Sequence, residues 1–218
     1  MLTIYGFPTS PYVRKALLVA EEKGLDYELV PATPHKPTPE FLSASPFRMM
    51  PAMEEDGFAL ADSTAMALYL DAKYPEPKLL PDDPKARGLA MMFDEFADTM
   101  LADSARAVGF NRYIGPTLLG ITGDLDAADA AEERAHPLLD WLEEQIGDGW
   151  LTGGDYSLGD IAVSCCLRTL AYGMDVATRP RTSAWLERVH ARPAWQAVAA
   201  KEAEMFAAAE GSGEHQQG

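Results

Sequence analysis

The sequence predicts an α/β unit followed by an all-helical one. Three observations carry this expectation. Strand and helix patterns alternate over residues 1–75. A stretch with four prolines, YPEPKLLPDDP at 74–84, then interrupts them. Beyond it the periodic segments have helical spacing. The expected organisation is an α/β domain at 1–75, a linker at 76–84 and a helical domain at 85–210. The end of the chain, GSGEHQQG at 211–218, reads as a disordered tail.

Each element has a local reason. Leu2 to Tyr5 is a short apolar run, read as a strand. Val13, Ala16, Leu17 and Ala20 recur at helical spacing within 11–23, Pro11 suits a first helical position, and Gly24 stops the helix. Tyr27 to Val30 is a second strand. The loop at 31–38 holds three prolines, and Pro39 to Ala44 is a short helix. Ala52 to Glu55, then Asp56-Gly57, then Phe58 to Leu60 is a hairpin with Asp-Gly as its turn. Ser63 to Lys73 is a helix. In the second unit Leu89, Phe93, Phe96 and Met100 form one stripe. Ala135, Leu138, Leu139, Leu142 and Ile146 form another, in which Pro137 either kinks the helix or marks its first turn. Residues 158–173 are apolar nearly all round, as in the middle helix of a bundle. Ser157 and Asp160 before it have capping-box spacing. Two shorter helices follow, around Trp185 to His190 and Pro193 to Ala208.

Composition narrows the function. The 218 residues are 47% hydrophobic and 24% charged, which suits globular domains. A net charge of −16 disfavours nucleic acid and anionic membrane surfaces as partners. The two cysteines, Cys165 and Cys166, are adjacent, fit a reducing compartment and read as inert core residues. No basic, apolar leader opens the chain and no apolar run is long enough to span a bilayer, so the expected location is the cytoplasm. The four histidines have neither metal-ligand nor triad spacing, and no metal is expected.

Three small features are candidates for chemistry. Ser10 stands where a helix begins, so a hydroxyl meets unpaired N–H groups and a partial positive charge. Thr9 or Ser10 can cap that helix, and capping by one leaves the other to face a ligand. Pro51 lies between a loop and a strand. A cis bond there turns the N–H and C=O of Met50 outward, toward an extended peptide; the plainer reading is a trans proline opening a strand. Asp62-Ser63 opens another helix. Asp62 reads either as its cap or as a partner for an ammonium, with Ser63 holding the neighbouring carboxylate. Their order and spacing point to a pocket for a small anionic thiol.

These residues resemble the cytosolic glutathione transferase superfamily, and Ser-Pro at this position its serine-type classes. The match runs through Ile4 to Lys15, the segment SPFRMMPAMEEDGFALADSTAMALYL, then SLGDIAVSCCL and RPAWQAV. The resemblance implies a thioredoxin-like N-terminal domain, an all-α C-terminal domain, glutathione as co-substrate and a homodimer. It implies that Ser10 hydrogen-bonds the glutathione sulfur, that Met50 pairs its backbone beside cis-Pro51, and that Asp62 and Ser63 bind the γ-glutamyl end. Family members often carry Lys two residues before the cis-proline. Here that position is Met49, and His35, Lys36 or Arg48 is expected to substitute. The resemblance also places an apolar electrophile beside Phe7, Tyr12, Met100, Ser104 and Tyr113. Arg106 and Arg112 read as solvated surface charges or as anchors for a carboxylate. A glutathione-dependent isomerase, dehalogenase or peroxidase uses the same thiolate, and a non-catalytic binding module would keep the same fold.

Overall fold

A computed structural model describes residues 1–214. The first unit is a four-stranded sheet. Its strands are β1 (Leu2–Tyr5), β2 (Tyr27–Val30), β3 (Ala52–Glu55) and β4 (Phe58–Ala61), in the order β2-β1-β3-β4. β1 runs parallel to β2 and antiparallel to β3, and β3 pairs antiparallel with β4. Successive side chains of a strand face opposite ways, so the sheet has two covered faces. Leu2, Ile4 and Met53 join the main core with helices α1 (Pro11–Glu22) and α3 (Ser63–Lys73). Tyr5 and Ala52 pack on the other face against Phe41 and Ala44 of α2 (Pro39–Ala44).

The second unit is helical. A long helix runs from Pro84 to Leu119 as α4 (Pro84–Glu95), a π-helical segment (Phe96–Leu101), α5 (Ala102–Gly109) and a second π-helical segment (Phe110–Leu119). Then come α6 (Leu125–Gln145), α7 (Leu158–Leu170), α8 (Pro180–His190) and α9 (Pro193–Glu214). α7 is buried almost throughout and lies against α1, α4 and α5. The capping box at Ser157 and Asp160 forms, and Asp160 also accepts from Leu151 N–H and Trp185 Nε1.

Several elements differ from expectation. Phe93 and Phe96 of the expected stripe are buried, with Ala90, Asp94, Ala97 and Leu101 completing the inward face, whereas Leu89 and Met100 stand exposed. Counting large apolar residues misses part of this face, because two of its positions are alanine and a third is a carboxylate neutralised by Lys15. Pro137 lies inside α6, and α7 ends at Leu170. α9 runs through 211–214, where a tail was expected to start, and the remaining residues of that segment lie outside those described. Among the described residues two peptide bonds are cis, Met50–Pro51 as the resemblance implied and Glu76–Pro77 in addition.

Candidate active site

Strand register brings the candidate segments together. Tyr5 is level with Val30 on one side and Ala52 on the other, and Ala52 is level with Ala61. The chain leaving β1 toward Ser10, the chain entering β3 through cis-Pro51, and the chain leaving β4 into Asp62-Ser63 therefore share one end of the sheet. The 31–38 loop with His35 and Lys36 leaves β2 at that same end.

The turn from β1 to α1 is tightly defined. Gly6 has φ +146, and a Cβ there would lie 2.4 Å from Val13 Cγ2, so the position needs glycine. Ser10 N–H donates to Phe7 carbonyl at 3.1 Å, and Arg14 N–H donates to Ser10 carbonyl at 2.9 Å. Ser10 is the N-cap of α1, and its Oγ accepts a long 3.5 Å contact from Val13 N–H. Capping uses an oxygen lone pair, so the hydroxyl proton remains to be donated. Ser10 is half-buried, whereas Thr9 is buried.

Pro51 is buried and Met50 half-buried. Asp62 is exposed, has φ +84 and caps α3 by accepting from Ala65 N–H at 2.8 Å through one carboxylate oxygen. Ser63, the first residue of α3, is buried. His35, Lys36 and Arg48 are all exposed. Among the described residues, neither Lys36 nor Arg48 forms an ion pair. Met49 takes the place of a cation with an exposed side chain, while its backbone is held at both groups by Ser45 Oγ, at 3.0 and 2.7 Å.

The five residues expected around the electrophile divide into two sets. Tyr12 donates to Asp98 carbonyl at 3.2 Å, two residues before the exposed Met100, and burial pushes its phenol up to about 12. Phe7 is half-buried and Ser104 buried. Tyr113 lies thirteen residues beyond Met100, roughly 20 Å away at the α-helical rise. It stacks on Tyr172 at 5.3 Å and meets Phe206 of α9 at 5.4 Å. These three rings, with Arg168 and Glu202, line a cavity of about 340 Å³, at the small end of the range for ligand sites. Tyr172 and Phe206 carried no sequence signal beyond being aromatic. Arg112 is committed to Asp129, Glu132 and the Gly173 carbonyl, and Arg106 pairs with Asp103 at the surface.

Two buried cations behind the site escaped the sequence reading. Lys15 Nζ contacts Thr64 Oγ1 at 2.9 Å, Asp94 at 2.8 Å and Asp98 at 2.6 Å, and Thr64 also donates to Asp94 at 2.7 Å. One ammonium thus ties α1 to the start of α3, beside Ser63, and to the long helix. Burial works against its charge, but the two carboxylates outweigh it and raise its pKa. Arg14 is equally buried and pairs with Glu202 of α9. The available signal was two consecutive cations in an apolar helix of a chain with only 18 Lys and Arg.

Comparison with known proteins gives this arrangement a class. Residues 4–78 match the family described as glutathione S-transferase, N-terminal domain, and residues 126–199 its C-terminal domain. A glutathione S-transferase of Hyoscyamus muticus is 32% identical over 89% of this chain and 95% of its own length. Glutathione S-transferase 3 of Zea mays is 32% identical, over 91% and 93%. The solved structure of glutathione S-transferase III in apo form superposes with a TM-score of 0.80 at 32% identity, over 91% of this chain and 95% of that one. The chain belongs to the glutathione S-transferase family and is an enzyme of it, with glutathione as co-substrate.

Proposed function

We propose that the enzyme joins the glutathione thiolate to an electrophilic carbon, with Ser10 as hydrogen-bond donor to the sulfur. The observation that carries this reading is the shared sheet end. Two strand spacings separate β1 from β4, about 10 Å, and an extended tripeptide spans roughly 10–11 Å. A peptide laid across that end reaches from the Ser10 turn, past the Met50–Pro51 backbone, to Asp62-Ser63. Ser63 and the α3 N-terminus suit the γ-glutamyl carboxylate, and the uncommitted oxygen of Asp62 suits its ammonium. His35, Lys36 and Arg48 supply positive charge for the glycyl end. The 1–75 domain thus binds glutathione and the 85–210 domain contributes the electrophile compartment. Its apolar walls are Phe7 and Met100, with Tyr12 and Ser104 as polar anchors on that side and Tyr113 farther along the long helix. An aliphatic or aromatic electrophile suits it better than a charged one.

The energetics close without a general base. A thiol of pKa about 8.5 is only about 3% thiolate at pH 7. Lowering it by about two units takes about 2.7 kcal/mol. A hydrogen bond to a charged acceptor contributes about 1.5–3 kcal/mol and a helix N-terminus about 0.3–1 kcal/mol. Ser10 and the start of α1 are sufficient. The test is the pH midpoint of bound-thiolate absorbance in Ser10→Ala. A rise supports the assignment; an unchanged midpoint removes Ser10 from the role and passes it to Thr9. Two chains pair as a homodimer in this reading, supported by the exposed Phe47, Met49 and Leu68. Sedimentation at micromolar protein distinguishes dimer from monomer.

A further inference from the structure

We infer that Arg14 is a positioning residue for Ser10, acting with Glu202; the inference builds on the thiolate reading above. Arg14 lies one helical turn beyond Ser10 with its side chain 2% exposed. One guanidinium nitrogen donates to the Cys165 carbonyl at 2.8 Å and to Thr169 Oγ1 at 3.0 Å, both on α7. The other pairs with Glu202 of α9 and reaches back to the carbonyl of Thr9, a long 3.5 Å contact. Glu202 in turn accepts from Arg168 Nε at 2.8 Å and from its terminal nitrogen at 2.6 Å. A single rigid fork therefore joins the first turn of α1, α7, α9 and the residue preceding Ser10.

Stability alone does not call for this arrangement. A buried ion pair replaced by apolar side chains of similar volume often leaves a protein as stable as before. Apolar side chains would not reach the Thr9 carbonyl, nor fix the angle of the α1 tip against two helices. A hydrogen-bond donor to a reacting atom loses effect when displaced by about 1 Å. The fork holds Ser10 to that tolerance, and α9 becomes part of the active-site support though it brings no group to the sulfur.

The discriminating variant is the double replacement Arg14→Met with Glu202→Met, which removes both buried charges together. Arg168, more than a third exposed, turns to solvent. The expected result is a thermal midpoint close to wild type. The thiolate titration midpoint should rise by about one unit, with kcat down about tenfold and KM for glutathione within twofold. Amide hydrogen exchange at Ser10 and Val13 should quicken. Unchanged titration, kcat and exchange in a folded double variant would overturn the inference. If that variant does not fold, Arg14→Lys keeps the charge beside Glu202 and loses the fork. Faster exchange at Ser10 then upholds the inference, and wild-type exchange overturns it. Failure of the thiolate reading is recognised separately, as a wild-type enzyme without a thiolate band. The exchange measurement still decides on the fork in that case.

Discussion

The tip of α1 and its buried flank lie one turn apart and are built on opposite terms. At the tip, Ser10 is half-buried, and its hydroxyl accepts a single long contact from Val13 N–H and keeps a proton to give. On the flank, Arg14 and Lys15 are almost fully buried, and each is bound to several acceptors. A group that must bind a ligand needs unspent hydrogen-bonding capacity. A group that sets where another sits needs none, and saturation makes it rigid. The same helix supplies both, because its N-terminus ends in a turn while its body is enclosed by α3, α7 and α9.

That contrast can be broken at either end. The largest expected effect is on the flank. Lys15→Met leaves Asp94 buried without its cation and should lower unfolding free energy by about 3–5 kcal/mol, read by urea denaturation; a loss under 1 kcal/mol would make the cluster dispensable. The tip comes next. Ser10→Ala should lower kcat/KM by about 10²-fold, or about 2.7 kcal/mol, with stability within about 1 kcal/mol of wild type. A large stability loss with intact turnover would reverse the two roles. Between them, Gly6→Ala sets a methyl against Val13 in a backbone region that disfavours side chains. It should destabilise by about 1–3 kcal/mol and reduce turnover by moving the α1 tip.

A pH measurement sharpens the flank. Burial opposes the Glu202 charge, but Arg14 and Arg168 hold its native pKa below the ordinary value. Its stabilising contribution is therefore present above the unfolded pKa, about 4.3, and drains as pH falls from there toward the native value. Glu202→Gln should show a shallower acid slope of stability in that window than wild type; an identical slope would exclude Glu202 as its source. The smallest effect belongs to the surface pair Arg106–Asp103. Arg106→Ala should change both stability and turnover by less than about 0.5 kcal/mol, and a larger loss in turnover would bring Arg106 into the site.

The sequence alone determined the elements whose reasons are local. Ser10 before Pro11, Asp-Gly between short strands, Ser157 and Asp160 three apart and cis-Pro51 ahead of β3 each act through their nearest neighbours in the chain. Their local roles as caps and turns could be read from spacing, whereas spacing left cis and trans open at Pro51 and the cis bond was what the family resemblance implied. Tertiary structure decided what depends on partners far along the chain. Asp94 faces inward only because Lys15 waits there, and Arg14 is tolerable in the core only because Glu202, 188 residues later, comes to meet it. Tyr113 turns toward Tyr172 and Phe206 because α9 packs across the second π-helical segment. A charge or a ring carries no mark of its burial until the group that compensates it has been brought alongside by the fold.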